Sequence, residues 1–199
     1  MKHSARILGA LLLIMTSFFL NGCSYNNFKR MDVGVQTSWH NLESQYQRRT
    51  DLIPNLVAVV QNYADFEKST LTGVVEARAK ATQVTIDPSK LDAESMKKYQ
   101  AAQGAVSSSL GRLLAVAENY PNLKANENFR DLQTQIEGTE NRINTARNDF
   151  NAAVGEYNTA IQLFPGNITA KMFGFKEKAF FEMKEGADQA PDVKQLFKK

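Results

Sequence analysis

The chain has almost none of the residues from which metal and nucleophilic centres are usually built. One cysteine, Cys23, stands in 199 residues, so no disulfide can close within the chain and a four-cysteine zinc site is excluded. Histidine is nearly missing: His3 lies in the first few residues and His40 stands alone. A histidine-based metal site or a Ser-His-Asp machine would rest on His40 only, and no Glu-x-x-His pair of the di-iron kind exists. No metal ligands, cofactor or catalytic residues are expected. A strong charge of either sign is lacking too. The chain carries 24 basic and 21 acidic residues, and Lys2 and Arg6 belong to a leader. Without those two the balance is 22 against 21, or +1, which gives no support to a broad nucleic-acid-binding face. The one long apolar run, Ile7 to Leu20, is shorter than the ~20 residues of a spanning helix.

That run has a positive start (Lys2, His3, Arg6) and ends at small Gly22 before Cys23, as a secretory signal does. Leu20-Asn21-Gly22-Cys23 resembles the lipobox of bacterial lipoproteins, with Asn21 the less usual member. The resemblance implies cleavage between Gly22 and Cys23 and acylation of Cys23, two or three chains together giving a stable membrane anchor. The alternative is a short uncleaved anchor with an incidental cysteine. Ser24, where an aspartate would resemble an inner-membrane retention signal, points to the outer membrane, facing the periplasm. The expected organisation is a signal peptide over 1–22, a polar tether over 23–30, a helical domain over 31–170 and a tail over 171–199.

Helical periodicity fills the rest. From Phe129 to Phe164, alternate steps of three and four give Phe129, Leu132, Ile136, Thr139, Ile143, Ala146, Phe150, Ala153, Tyr157, Ala160 and Phe164, with only Thr139 polar. Such a stripe predicts a helix about 54 Å long, packed lengthwise on others. Ahead of it, Val35, Trp39, Leu42 and Tyr46 share one face. Pro54, which a helix interior accommodates at a cost of about 3 kcal/mol, predicts that the first helix stops near Arg49 and a second starts near Leu52 under an Asp51 cap. One kinked helix is the rival, since the apolar phase continues through Ile53, Val57 and Val60. The second helix is expected to reach Ala81, and Pro88 marks a connection. A third runs from about Leu91 to Asn119, in which Gly104 and Gly111 would let a neighbour come close. Asn126 is a candidate cap, and Pro165-Gly166 stops the long helix. The tail, with Phe173, Phe175, Phe180 and Phe181, reads as a strap over the bundle or as an exposed aromatic patch for a partner.

Five charged residues fall beside the stripes: Glu67, Arg78, Glu118, Glu140 and Arg147. Charges this close to a core are usually paired, so they are expected to form a polar core that fixes helix register. A site gathering carboxylates for metal or acid–base work is the alternative.

Taken together, Arg48-Arg49-Thr50-Asp51-Leu52-Ile53-Pro54-Asn55-Leu56-Val57, Tyr63-Ala64, Glu76-Ala77-Arg78-Ala79, Glu118 to Asn126, Thr139-Glu140-Asn141-Arg142-Ile143, Ala146-Arg147, Tyr157-Asn158, Phe164-Pro165, Gly174-Phe175 and Phe180-Phe181-Glu182 resemble the signature of the LemA family. The resemblance covers nearly all of the mature chain. It implies an all-α, antiparallel four-helix bundle held at a membrane and exposed outside the cytoplasm, with no established catalytic residues to carry over. Many members of the family keep a transmembrane helix where this chain has a lipobox. The expected role is a lipid-anchored, non-enzymatic domain that binds an envelope protein partner in maintenance or stress. An envelope enzyme and a structural homo-oligomer are the alternatives.

Overall fold

The computed structural model describes residues 2–63 and 66–182, with side chains from Ser24 onward. The leader side chains, Gly22 and Cys23 among them, and residues 183–199 lie outside that set. Among the described residues the chain is all-helical: α1 (Lys2–Gln61), α2 (Lys68–Gln83), α3 (Ala93–Ala117), α4 (Pro121–Lys124), α5 (Glu127–Gln162) and α6 (Gly166–Phe173). No described helix is long and apolar enough to cross a membrane.

The expected helix break near Arg49 does not occur. α1 continues through Pro54. Proline has no N–H to give the carbonyl four residues back, so the Thr50 oxygen loses its helical partner. Arg78 of α2 supplies the missing donor, its Nε lying 3.1 Å from Thr50 O. α1 ends instead at Gln61, where Asn62 and Tyr63 donate to the carbonyls of Val59 and Val60. Residues 24–30, read from the sequence as a tether, are helical, and Phe28 is buried in the core.

Caps fall where side-chain chemistry places them. Asp92 accepts from Ser95 N at the start of α3, and Asn126 accepts from Phe129 N at the start of α5. α5 runs back along α1, and α2 and α3 pair with each other. Gly104 and Gly111 are not close-approach points, since a Cβ at either would meet nothing within 4 Å. Gly166 is one: a Cβ there would lie 2.5 Å from Ala160 O and 2.9 Å from Phe28 Cζ. The end of the long stripe also departs from the 3.5-residue reading. Its last buried residues are Val154, Tyr157, Asn158 and Ile161, while Phe164 is 79% exposed. A straight helix drifts ~20° per heptad from a 3.5 repeat, so over five heptads the face moves by roughly a quarter-turn.

The core divides in two. One cluster joins Trp39, Leu42 and Tyr46 of α1 to Met96 and Tyr99 of α3 and to Ile143, Phe150 and Val154 of α5. The other joins Ile53, Leu56 and Val60 to Leu71 and Val74, Val106, Leu110 and Leu113, Phe129 and Ile136. Between them, in sequence order on each helix, lie Arg49, Gln103 and Thr139, all buried.

Candidate functional site

Arg49 is the centre of that dividing layer. It occupies the stripe position between Tyr46 and Ile53, and its side chain is fully enclosed. A guanidinium in such a place needs partners for its fork of donors. Nη1 donates to Ser107 Oγ at 2.6 Å and to Glu140 Oε1 at 2.8 Å. Nη2 donates to Gln103 O at 3.1 Å and to Gln103 Oε1 at 2.6 Å. Nε has no hydrogen-bond partner. One residue of α1 is thereby bonded to two residues of α3 and to one of α5. The Tyr46 ring lies 5.1 Å from the guanidinium carbon, within cation–π range.

Three of the five charged residues singled out in the sequence converge on this turn of α1. Glu140 meets Arg49, Arg78 meets the carbonyl of Thr50, and Arg147 Nε donates to Tyr46 OH at 2.8 Å. Arg147 also lies over the Phe181 ring at 4.8 Å. Tyr46 is therefore held between two cations. Burial nevertheless raises the pKa of its hydroxyl above the ordinary tyrosine value, opposed first by Arg147 and then by Arg49.

Glu67 and Glu118 do not join a polar core, and that expectation is corrected. Glu67 is exposed at the N-cap of α2 and accepts from Thr70 Oγ1. Glu118 is exposed beyond α3 and pairs with Lys124. Both flank apolar positions, but each sits at a helix end where its carboxylate reaches water.

Arg49, Gln103 and Tyr46 were missing from the sequence candidates. The signal was present: Val35, Trp39, Leu42, Tyr46, Arg49, Ile53, Leu56 and Val60 form one unbroken stripe of three-and-four steps. Placing a helix end at Arg49 hid it. Gln103 stands in the same way between Tyr99 and Val106.

A second polar assembly holds residues 174–182 along α5. Asn158 donates to Lys178 O and accepts from Lys178 N, at 2.8 and 2.9 Å. Asn151 does the same for Phe181, at 2.8 Å in each direction. Seven helical residues rise about 10.5 Å and three extended residues span about 10 Å, so the two amides match the spacing of the strap. Lys178 Nζ lies 2.7 Å from Asp32 Oδ1, and Tyr157 OH donates to Lys176 O. Burial, with Asp32 adding to it, pushes the Tyr157 pKa up to about 12.

Two open clefts on the described surface lie beside the elements above. One, of about 500 Å³ between α2 and α3, is lined by Ser69, Gly73, Glu76, Lys80, Ser108 and Arg112 among others. The other, of about 450 Å³, lies where Tyr25 and Lys29 face Ser89–Asp92 and the start of the strap. No described group of three or more histidines, cysteines or carboxylates is placed to hold a metal ion.

Residues 38–195 match the LemA family. The chain is similar to Magnetosome protein MamQ 2 of Paramagnetospirillum magneticum, 30% identical over 190 residues, covering 87% of this chain and 70% of that protein. It has the same identity and coverage with Magnetosome protein MamQ of Magnetospirillum gryphiswaldense. With Protein LemA of Metamycoplasma hominis it is 22% identical over 179 residues, covering 90% of this chain and 78% of that protein.

Proposed function

Because this chain belongs to the LemA family, we propose that it is a non-enzymatic helical domain, anchored by lipid at Cys23 to the bacterial envelope, that binds protein partners in envelope maintenance or stress. In this reading α1, α2, α3 and α5 form the antiparallel four-helix bundle that the resemblance implies. The domain faces the periplasm, on the outer rather than the inner membrane. One observation carries the non-enzymatic part. The most deeply buried charge, Arg49, is fully enclosed and engaged by Ser107, Gln103 and Glu140, so a substrate could reach it only by pulling the helices apart. A buried arginine paired with a half-buried carboxylate in this way serves registry and specificity in this reading. The surface supports the binding part: the α2–α3 cleft is open, mixed in charge and lined with hydroxyls, which suits a polypeptide segment better than a small apolar ligand.

Crosslinking in intact cells, followed by mass spectrometry, tests this reading. It should return a reproducible envelope protein joined near the α2–α3 cleft. Contacts only between copies of the chain would favour a structural homo-oligomer. No crosslinked protein, together with stoichiometric metal in the purified chain, would favour a metal-dependent envelope enzyme. For the anchor, Cys23→Ala should leave an unprocessed precursor or release the protein from membranes. A wild-type protein that never takes up labelled fatty acid contradicts the lipoprotein reading.

A further inference from the structure

The end of the molecule that carries the start of α1 exposes an apolar surface that no described part of the fold covers. Leu163 and Phe164 follow α5, and Ile168, Met172 and Phe173 lie on α6; all five are more than half exposed. α6 is inverted relative to an ordinary surface helix. Its inward face is small, with Gly166 against Phe28 and Thr169 and Ala170 buried, while Ile168 and Met172, four residues apart, stand together on the outer face. Large apolar groups turned outward while small ones turn inward call for an occupant.

Two observations identify it. The first is position. Tyr25 of α1 packs on Phe173 at 4.9 Å and on Phe175 at 5.6 Å. The apolar leader run ends at Leu20, and five helical residues rise only about 7.5 Å. Whether the chain is held by that run or by an acylated Cys23, its attachment lies within about two helical turns of the exposed surface. The second is charge. Lys29, Arg30, Lys171 and Lys176 are all exposed around this end. Of the nearby carboxylates, Asp32 is already paired with Lys178, while Glu177 and Asp92 are exposed, Asp92 next to Lys90 in the cleft that Tyr25, Lys29 and Phe173 line, so cations still outnumber exposed carboxylates here. Apolar side chains rimmed by lysine and arginine match the boundary between acyl chains and anionic headgroups.

We propose that Leu163, Phe164, Ile168, Met172 and Phe173 form a second membrane contact, in which α6 lies on the lipid surface and fixes the long axis of the domain relative to the bilayer. This rests on the reading that the N-terminus is held at a membrane. An anchor alone would leave the domain free to swing; two contacts at one end set its orientation and present the far end, around α4, to partners.

Photolabelling tests it with the full processed protein in vesicles of phosphatidylethanolamine and phosphatidylglycerol, using a lipid-soluble carbene precursor and mass-spectrometric mapping. Adducts should fall on 163–173 and be absent from Glu137, which lies about 40 Å along α5 from Phe164. The triple variant Phe164→Ser, Ile168→Ser, Met172→Ser should lose them while its helical circular dichroism and its flotation with vesicles are unchanged. Lys29→Glu with Lys171→Glu should lower the yield in these vesicles and not in phosphatidylcholine. Protein that floats with vesicles but carries no adducts at 163–173 overturns this inference and leaves the anchor standing. So do crosslinks joining 163–173 of two copies in place of adducts. Protein that fails to float overturns the anchor reading and this inference with it.

Discussion

Two buried cations hold this molecule together in different ways. Arg49 sits mid-shaft among three helices, its planar fork shared by two hydroxyl or amide side chains, one backbone carbonyl and one carboxylate. Lys178 sits on the extended strap and makes one ion pair, to Asp32, above the Tyr157 ring. The fork fixes several directions at once, so it sets the rotation and height of helices against each other. The ammonium is a point charge that fixes a distance, and the strap takes its register from the amides of Asn151 and Asn158. One device is specific and interior; the other is a latch on a segment laid along helices that are already packed. Tyr46, Arg147 and Phe181 connect the two.

The largest effect should come from the shaft. Arg49→Met leaves Gln103 and Ser107 without their donor and Glu140 unpaired, and is expected to cost about 3 kcal/mol in urea unfolding. Arg49→Lys should recover less than half of that, because an ammonium cannot reproduce the fork. At the strap, Asn158→Ala removes two buried hydrogen bonds and should cost about 2 kcal/mol. Its signature is local: amide exchange should quicken at 176–181 and stay unchanged around Gln103. If exchange quickens equally in both places, the two regions are a single cooperative unit and the contrast fails.

A smaller effect concerns Pro54. Arg78→Met should cost about 1.5 kcal/mol, because it leaves the Thr50 carbonyl unsatisfied. In a Pro54→Ala background the new backbone N–H can bond that carbonyl, and the same substitution should cost less than half as much. Equal costs in the two backgrounds would mean that Arg78 does not replace the proline's missing donor. The smallest effect appears at high pH. Tyr99 and Tyr46 have folded pKa values raised mainly by burial, and Tyr157 is raised to about 12. The neutral phenols therefore stabilise the fold fully below the unfolded value of about 10, and that contribution is lost as pH rises through the folded values. Urea midpoints should fall as pH rises from about 10 to about 12, and Tyr99→Phe should flatten the decline.

How much of this was legible follows the periodicity. The buried stripe of α5 from Phe129 to Phe150, the cap at Asn126 and the stop at Pro165 follow from spacing and side-chain chemistry. What was not legible depended on contacts between distant residues. Pro54 is compatible with a helix interior only because Arg78, far along the chain on another helix, bonds Thr50 O. Without that knowledge a break at Arg49 is the cheaper reading, and it conceals the arginine that organises the layer. Glu67 and Glu118 show the reverse error, since proximity to a stripe says nothing about whether a helix end gives the carboxylate access to water. The outward face of α6 could not be read either, because Ile168 and Met172 look like core until their neighbours are known.

The central claim is that the Arg49 layer is a structural lock joining α1 to α5. A double-mutant cycle on Arg49 and Glu140 tests it most directly. Glu140 keeps part of its surface in water, so the coupling should be moderate, about 1.5 kcal/mol between Arg49→Met and Glu140→Gln in urea unfolding. A coupling within about 0.3 kcal/mol of zero, with both variants folded, would contradict the lock and leave the buried arginine without a reason to be there.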